Sequence, residues 1–464
     1  MIQMIERRKK MKDLVKVNVT SSAYGLKLDD LVTIGIRSNN EKRNFLFISK
    51  LLGKHLIVHP DVVQVSGCLL AGLIHRSPWD IKKLVRFLRK QDVDISEDLN
   101  RMTICEKSSL VIGFSETATG LGHAVANAIT NTTFGITTRQ DIAEADGMAV
   151  KDTFSFEESH SHATTHHCYL GKSWFDVDRI ILVDDELTTG NTMLHLIEHI
   201  QTMTDCKEFI ILSLLDFRSA KHRQNFYQFQ KDHGVKIRVE ALLKGELTIL
   251  SDEVFKEEET PLLPEVDDIH DYIEDFDAVE TYDSEGSYQL ELADRGLFGI
   301  NAEESWENIE ESAQMFAEFY RDEYEDLQDV FEENDTPYIP VNKWKKILVV
   351  GHGENIYIPS RIAHYLGADF KTTSRSPIYV SDDPDYPIHD KVAFMDGDVK
   401  YYFYNAKEIE ETYDIVFFLT SSDLPVRLTN NCVQLVFDNL DLEGVTEEDI
   451  DFVNMVLDSI PKKD

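Results

Sequence analysis

The stretch Arg179-Ile180-Ile181-Leu182-Val183-Asp184-Asp185-Glu186-Leu187-Thr188-Thr189-Gly190-Asn191-Thr192 decides how this chain is read. Ile180 to Val183 form a continuous apolar run, the pattern of a strand buried on both faces of a parallel sheet. The carboxyl end of such a strand is where open α/β sheets bind ligands. Asp184 and Asp185 stand at that end. An ionised carboxylate offers only acceptors, so the pair suits the vicinal hydroxyls of a ribose. Thr188, Thr189, Gly190, Asn191 and Thr192 follow and open a helix predicted to start at Thr192 or just before it. Hydroxyls, backbone N–H groups and the positive end of the helix dipole converge there on a point suited to a phosphate monoester. Gly190 allows the turn and the close approach, and Asn191 tolerates left-handed backbone angles. Carboxylates beside phosphates also attract Mg²⁺, which is held by one or two carboxylates plus substrate oxygens and water. Asp184 and Asp185 are therefore the candidate metal ligands as well.

A second junction of the same kind lies upstream, where the apolar run Ser109 to Phe114 leads into a small-residue loop and a helix predicted over Leu121 to Thr130. Thr117, Ala118, Thr119, Gly120 and Gly122 are the candidates for cradling a pyrophosphate on consecutive N–H groups. A helix-packing turn is the other reading. A dinucleotide fold is not indicated, because Val125 stands where the third glycine of GxGxxG belongs.

Val183 to Thr192 resembles the PRPP-binding motif of type I phosphoribosyltransferases, in which apolar residues precede two acids and a Thr/Gly phosphate loop. It departs from that motif at Asn191, where a second Gly is usual, and at Glu186, where Ala or an apolar residue is common. The resemblance implies an α/β fold with a parallel sheet and flanking helices that binds 5-phosphoribosyl-1-pyrophosphate (PRPP) with Mg²⁺ as cofactor. Its 5′-phosphate would lie on Thr188 to Thr192, its ribose on Asp184 and Asp185, and its pyrophosphate near Thr117 to Gly122. The implied reaction moves the phosphoribosyl group to a nucleobase-like acceptor, or releases a base from a nucleotide in reverse. A non-catalytic PRPP- or nucleotide-binding regulator is the alternative. The histidine-dense segment Phe156 to Cys168 is similar in place to the family's flexible catalytic loop. The resemblance makes His160 and His162 catalytic, as donors to the departing pyrophosphate, where Lys or Arg is more usual. A solvated loop and a transition-metal site through these histidines and Cys168 stay open beside it. The cation-rich segment Arg37 to His55 either approaches the phosphates or is a solvent-exposed helix face. Asp216, ending the run Glu208 to Leu215, either meets the base or caps a helix.

At 464 residues the chain exceeds what one core usually organises. Its charge marks the division. Of the formal −37, residues 251–340 carry −28, from 31 Asp plus Glu against 3 Lys plus Arg. The expected domains are 1–250 for PRPP, 251–300 as an acidic linker, and 301–464 as a second α/β, Rossmann-like domain with a leading helix. In the latter, Lys345 to Val350, Tyr413 to Leu419 and Val433 to Phe437 read as strands. Thr373-Ser374-Arg375-Ser376-Pro377 resembles the name-giving motif of the TRSP domain, which follows a PRPP-binding domain in a family found with tellurite-resistance and stress gene clusters. That resemblance implies metabolism of a nucleoside-like compound. Glu354, Arg361, Arg375 and Ser376 are the candidate ligand residues of this domain, since a guanidinium among hydroxyls forks onto paired oxygens.

The acidic balance argues against nucleic acid as a partner. Apolar runs are too short to span a bilayer, and Met1 to Lys16 lacks the pattern of a secretory signal. Five scattered cysteines without a CxxC pair argue against a disulfide framework. A cytoplasmic protein is expected, with a homodimer left open.

Overall fold

The computed structural model describes residues 14–41, 43–140, 154–157, 165–264, 273–276, 281–283, 286–288, 296, 299–302, 308–314, 317, 346–420 and 424–437. The chain forms two compact units. The first comprises Met1–Leu52, Asp61–Phe255 and Arg295–Trp306; the second comprises Gly53–Pro60, Lys256–Asp294 and Glu307–Asp464.

In chain order the first unit contains β1 (Val15–Ser22), β2 (Val32–Ile36), β3 (Phe45–Ser49), α1 (Asp61–Ala71), α2 (Ile81–Lys90), β4 (Ser109–Gly113), α3 (Ala118–Ala126) and β5 (Thr132–Ile136). It continues with β6 (Phe154–Glu157), β7 (Thr165–Cys168), β8 (Arg179–Leu187), α4 (Asn191–Ile200), β9 (Glu208–Asp216), α5 (Ala220–His233) and β10 (Lys236–Ile249). The main sheet has the order β1-β10-β9-β8-β4-β5, closed at one edge by the short strand Ile300–Asn301. β10, β9, β8, β4 and β5 run parallel, while β1 and Ile300–Asn301 are antiparallel. The central strands carry continuous apolar runs within the core: all five residues of β4 and the first five of β8 are buried. α3 can lie directly on β4 because two glycines face each other. A Cβ on Gly122 would sit 2.6 Å from the Cα of Gly113. α1 packs on α3 as closely, since a Cβ on Gly67 would lie 2.3 Å from the carbonyl carbon of Ala124.

Several local expectations shift. α3 begins at Ala118, three residues before the predicted Leu121, so Ala118, Thr119, Gly120 and Gly122 belong to its first two turns. β8 runs on to Leu187, so both aspartates and Glu186 lie within the strand rather than after it. Gly190, at φ 73°, takes the left-handed conformation at the entry to α4, and Asn191 is already helical. The cation-rich segment supplies the connection and the second strand, β3, of the β2–β3 hairpin and is not a helix face, since Phe45 to Ile48 are all buried.

The described strands of the second unit's main sheet are β11 (Ile273–Phe276), β12 (Ile347–Gly351), β13 (Asp369–Thr372), β16 (Ile415–Thr420) and β17 (Cys432–Phe437). Their order is β11-β17-β16-β12-β13, and every pair is parallel. β14 (Lys391–Asp396) and β15 (Val399–Tyr404) form an antiparallel hairpin, and α6 (Tyr357–Leu366) and α7 (Ala406–Thr412) are helices of the same unit. Leu348 and Val350 of β12 pack with Val416 and Phe418 of β16 beneath Phe394, Tyr401 and Phe403 of the hairpin. The acid-rich region is partly structural. Glu257 pairs with Lys391, and Glu310 holds the buried Arg361 through two contacts of 2.6 and 2.9 Å. Among the described residues, no helix is long and apolar enough to cross a membrane.

Candidate functional site

In the first unit β4 leads through α3 to β5 on one side, whereas β8 lies on its other side. The strand order therefore reverses at β4, and the crevice beyond the carboxyl ends of β4 and β8 is a ligand-binding position by topology. Gly113 and Val183 are register partners at those ends, and the Phe114 N–H donates to the Val183 carbonyl at 3.0 Å. The turn that leaves β4 thus stands level with Asp184 and Asp185, while β8 runs on to Leu187 before its own turn.

On the β8 side Asp184 and Asp185 are both half-buried. The Asp185 N–H donates to Asp184 Oδ1 at 2.9 Å, which fixes that carboxylate at the strand end. The next acid has a different task. Glu186 accepts two hydrogen bonds from the Arg43 guanidinium, at 2.8 and 3.0 Å, and Arg43 itself lies 4.4 Å over the Phe45 ring. Burial pushes the Glu186 carboxyl up from its ordinary value, and Arg43 opposes that shift. The departure of Glu186 from the motif is therefore matched by a cation on the β2–β3 hairpin. The turn that follows is tight: a Cβ on Gly190 would meet the Phe226 ring at 2.6 Å and Arg218 Cδ at 3.2 Å. Thr189 Oγ1 accepts from the Asn191 N–H at 3.3 Å. Thr188, Asn191 and Thr192 are half-buried around the start of α4.

On the β4 side the Ser115 N–H donates to Thr137 Oγ1 at 3.0 Å, and the Ser115 hydroxyl meets His166 Nδ1 at 2.9 Å. The Ser115–Glu116 peptide is cis. Thr119 Oγ1 donates to the Glu116 carbonyl at 3.2 Å. Thr117 is half-buried just ahead of α3, whereas Ala118, Thr119, Gly120 and Gly122 are buried. Gly122 serves the contact with Gly113 described above.

His160 and His162 lie outside the described residues. His166 is engaged with Ser115 and stacked on Phe156 at 5.1 Å, and burial pushes the Cys168 thiol up to about 12. Among the described residues no group of three or more His, Cys, Asp or Glu could hold a metal. Asp216 is not available to a base. It is fully buried and forked by Arg218 at 2.9 and 3.0 Å, with Arg223 at 3.6 Å. Sequence reasoning missed the Arg43–Glu186 pair and the Ser115–His166 link. The first had a signal, an unusual acid in the motif and a cation cluster upstream; the second had none.

In the second unit Glu354 is buried, and Arg361 is turned to Glu310. Arg375 donates through Nε and Nη2 to the Tyr401 hydroxyl at 2.9 and 2.7 Å, and the Ser376 N–H donates to Ser374 Oγ at 3.1 Å.

Residues 31–246 match the model of a family described as phosphoribosyl transferase, which covers β2 to β9 and most of β10, with both junctions and the β2–β3 hairpin. Residues 295–436 match the TRSP domain found C-terminal to that transferase. The chain belongs to this family, phosphoribosyl transferases carrying a C-terminal TRSP domain. No curated protein matches it. Among solved structures it is similar to adenine phosphoribosyl transferase from Trypanosoma brucei, at 11% identity over 51% of this chain and 78% of that one, with a TM-score of 0.26. Adenine phosphoribosyltransferase from Saccharomyces cerevisiae is 12% identical over 47% and 98%, with a TM-score of 0.26. Orotate phosphoribosyltransferase from Mycobacterium tuberculosis is 13% identical over 48% and 92%, with a TM-score of 0.22. The family assignment rests on the two model matches.

Proposed function

We propose that the first unit binds PRPP with Mg²⁺ at the β4–β8 crevice and transfers its phosphoribosyl group to a nucleobase-like acceptor, or runs the reverse release of a base from a nucleotide. The nucleoside-like product would belong to metabolism in a stress or tellurite-resistance setting. The observation that carries the reading is the register of Gly113 with Val183, which sets the small-residue turn and the two aspartates side by side at the point where the strand order reverses.

In this reading Asp184 and Asp185 accept hydrogen bonds from the ribose 2′- and 3′-hydroxyls. The turn Thr188 to Thr192 and the first N–H groups of α4 take the 5′-phosphate. The turn at Thr117, ahead of α3, takes the pyrophosphate. As the bond from C1 to pyrophosphate breaks and the bond to the acceptor nitrogen forms, the ribose ring gains positive charge, which the aspartates stabilise from a preorganised position. The donor set fits Mg²⁺, because two partly exposed carboxylates beside a phosphate site are what this ion uses, with substrate oxygens and water filling its other positions. When bound, the ion neutralises charge on the leaving pyrophosphate. Arg43 keeps Glu186 occupied, so that the third acid of the motif does not compete for it.

Asp184→Asn with Asp185→Asn is expected to abolish Mg²⁺-PRPP binding in calorimetry; unchanged affinity discards the proposal. Incubation with PRPP, Mg²⁺ and a panel of bases should release pyrophosphate. PRPP binding without release for any base would instead assign a regulator.

A further inference from the structure

The second unit repeats the topological logic of the first at a place the transferase reading does not use. β12 leads through α6 to β13 on one side, and β16 lies on its other side, so the strand order reverses at β12. Gly351 is the register partner of both Thr372 and Leu419, so the next residues of three adjacent strands, His352, Thr373 and Thr420, stand at one level. By strand alternation His352 and Thr420 continue the rows Leu348–Val350 and Val416–Phe418, which are core beneath the hairpin. An apolar layer thus ends in a polar one at the carboxyl edge of the sheet.

That polar layer is built. The Gly353 N–H donates to Thr373 Oγ1 at 2.9 Å, which leaves the Thr373 hydroxyl hydrogen for His352 Nδ1, also at 2.9 Å. His352 Nε2 faces Asp396 Oδ2 at 3.1 Å, and a carboxylate accepts, so this nitrogen carries a proton. His352 is thereby locked between two partners and fixes the turn that follows it. The Asn355 N–H closes that turn on the His352 carbonyl at 2.9 Å. A Cβ on Gly351 would lie 2.2 Å from the Asn355 carbonyl oxygen, so only glycine lets the chain fold back there. The turn delivers the chain into α6, ten residues long. Gly353, at φ 56°, is pressed to the Tyr401 hydroxyl, which a Cβ there would approach to 3.2 Å, and the same hydroxyl receives Arg375. The guanidinium is therefore beside the turn.

One group in this layer is left over. Thr420 is 1% exposed, and its Oγ1 has no hydrogen-bond partner among the described residues. A buried hydroxyl without a partner is unfavourable, and native interiors seldom tolerate one.

We propose that the crevice between the carboxyl ends of β12 and β16 binds a phosphate monoester of a small metabolite. Arg375 and the N–H groups of Tyr357 and Ile358 in the first turn of α6, beyond the engaged N–H groups of Gly353 and Asn355, take the phosphate, and the Thr420 hydroxyl donates to one of its oxygens. Donors on three separate elements lie at the carboxyl edge of the sheet, and a tetrahedral phosphate offers them more acceptor oxygens than a planar carboxylate does. His352 and Asp396 are positioning residues that hold the turn.

The probe is inorganic phosphate, titrated calorimetrically into the full chain carrying Thr188→Ala and Thr192→Ala, which weaken the first unit's phosphate loop by removing two of its hydroxyls. In that background Arg375→Gln should weaken phosphate binding tenfold or more, and the near-isosteric Thr420→Val several-fold with no loss of melting temperature. Absence of phosphate binding overturns the proposal, as does binding that neither further substitution alters. Because Arg375 and Thr420 belong to the second unit, the changes they make are read apart from the first unit's own phosphate sites and from whether Asp184 and Asp185 hold PRPP.

Discussion

Removing Arg43 tests how the PRPP motif tolerates a third acid. Glu186 and Arg43 share two charge-assisted hydrogen bonds of 2.8 and 3.0 Å, with side chains 14% and 26% exposed. Breaking a fully buried pair costs about 3–5 kcal/mol, and an exposed pair about 0–1 kcal/mol. This pair lies between, so Arg43→Ala is expected to destabilise the first unit by about 2 kcal/mol near neutral pH. Glu186→Ala leaves Arg43 over the Phe45 ring with a route to water and should cost about 1 kcal/mol or less. The double variant should cost clearly less than the sum, since Arg43→Ala is harmful mainly through the carboxylate it strands. The sign with pH follows from Glu186, whose carboxyl is raised by burial in the folded state. A raised acid opposes folding once pH climbs above its unfolded value of about 4.3, and protonation on acidification relieves that opposition. Loss of Arg43 raises the carboxyl further, so the cost of Arg43→Ala should shrink from pH 8 to pH 5. The assay is urea unfolding followed by peptide-resolved hydrogen exchange, which reads the first unit separately from the second. A coupling below about 0.3 kcal/mol, or a cost independent of pH, refutes the account.

Two further outcomes follow from single positions. Gly190→Ala puts a side chain at φ 73° and 2.6 Å from Phe226, so the turn must move; PRPP affinity should fall tenfold or more in calorimetry while the second unit melts unchanged, and retained affinity would remove the 5′-phosphate from this turn. Lys371 is buried, donates to the His55 carbonyl at 2.7 Å, lies 5.3 Å from the Phe403 ring, and has its ammonium pushed down by burial to about 7, with Asp390 and Glu408 opposing. A base depressed in the folded state costs stability below its unfolded value near 10.4, most fully once pH is below about 7. Lys371→Met should therefore raise the second unit's melting temperature more at pH 6 than at pH 9, and an equal effect at both would show that the ammonium is not the cost.

Much of the site was legible because it is local. Ile180 to Thr192 carry their chemistry in consecutive residues: an apolar run makes a buried strand, acids end it, and a Thr/Gly turn opens a helix. The same grammar marked Ser109 to Gly122, although α3 starts earlier than expected, since Gly113 and Gly122 allow a helix to press onto the strand from Ala118 onward. What could not be read were pairings between residues far apart in the chain. Arg43 and Glu186 are 143 residues apart, and Glu310 and Arg361 are 51 apart. No periodicity announces such a partner. Asp216 shows the same limit from the other direction: its type suited a base contact, and only burial against Arg218 shows that its acceptors are taken.

The amino-acid order alone determined the two α/β regions, the position of the phosphoribosyl motif and the class of ligand its donors suit, because hydrophobic period and turn chemistry act over a few residues. Tertiary structure decided which loops meet at a crevice and which charges are spent on each other. Strand order and register bring Gly113 to Val183, and His352 to Thr373 and Thr420, and those neighbours come from folding rather than from sequence proximity.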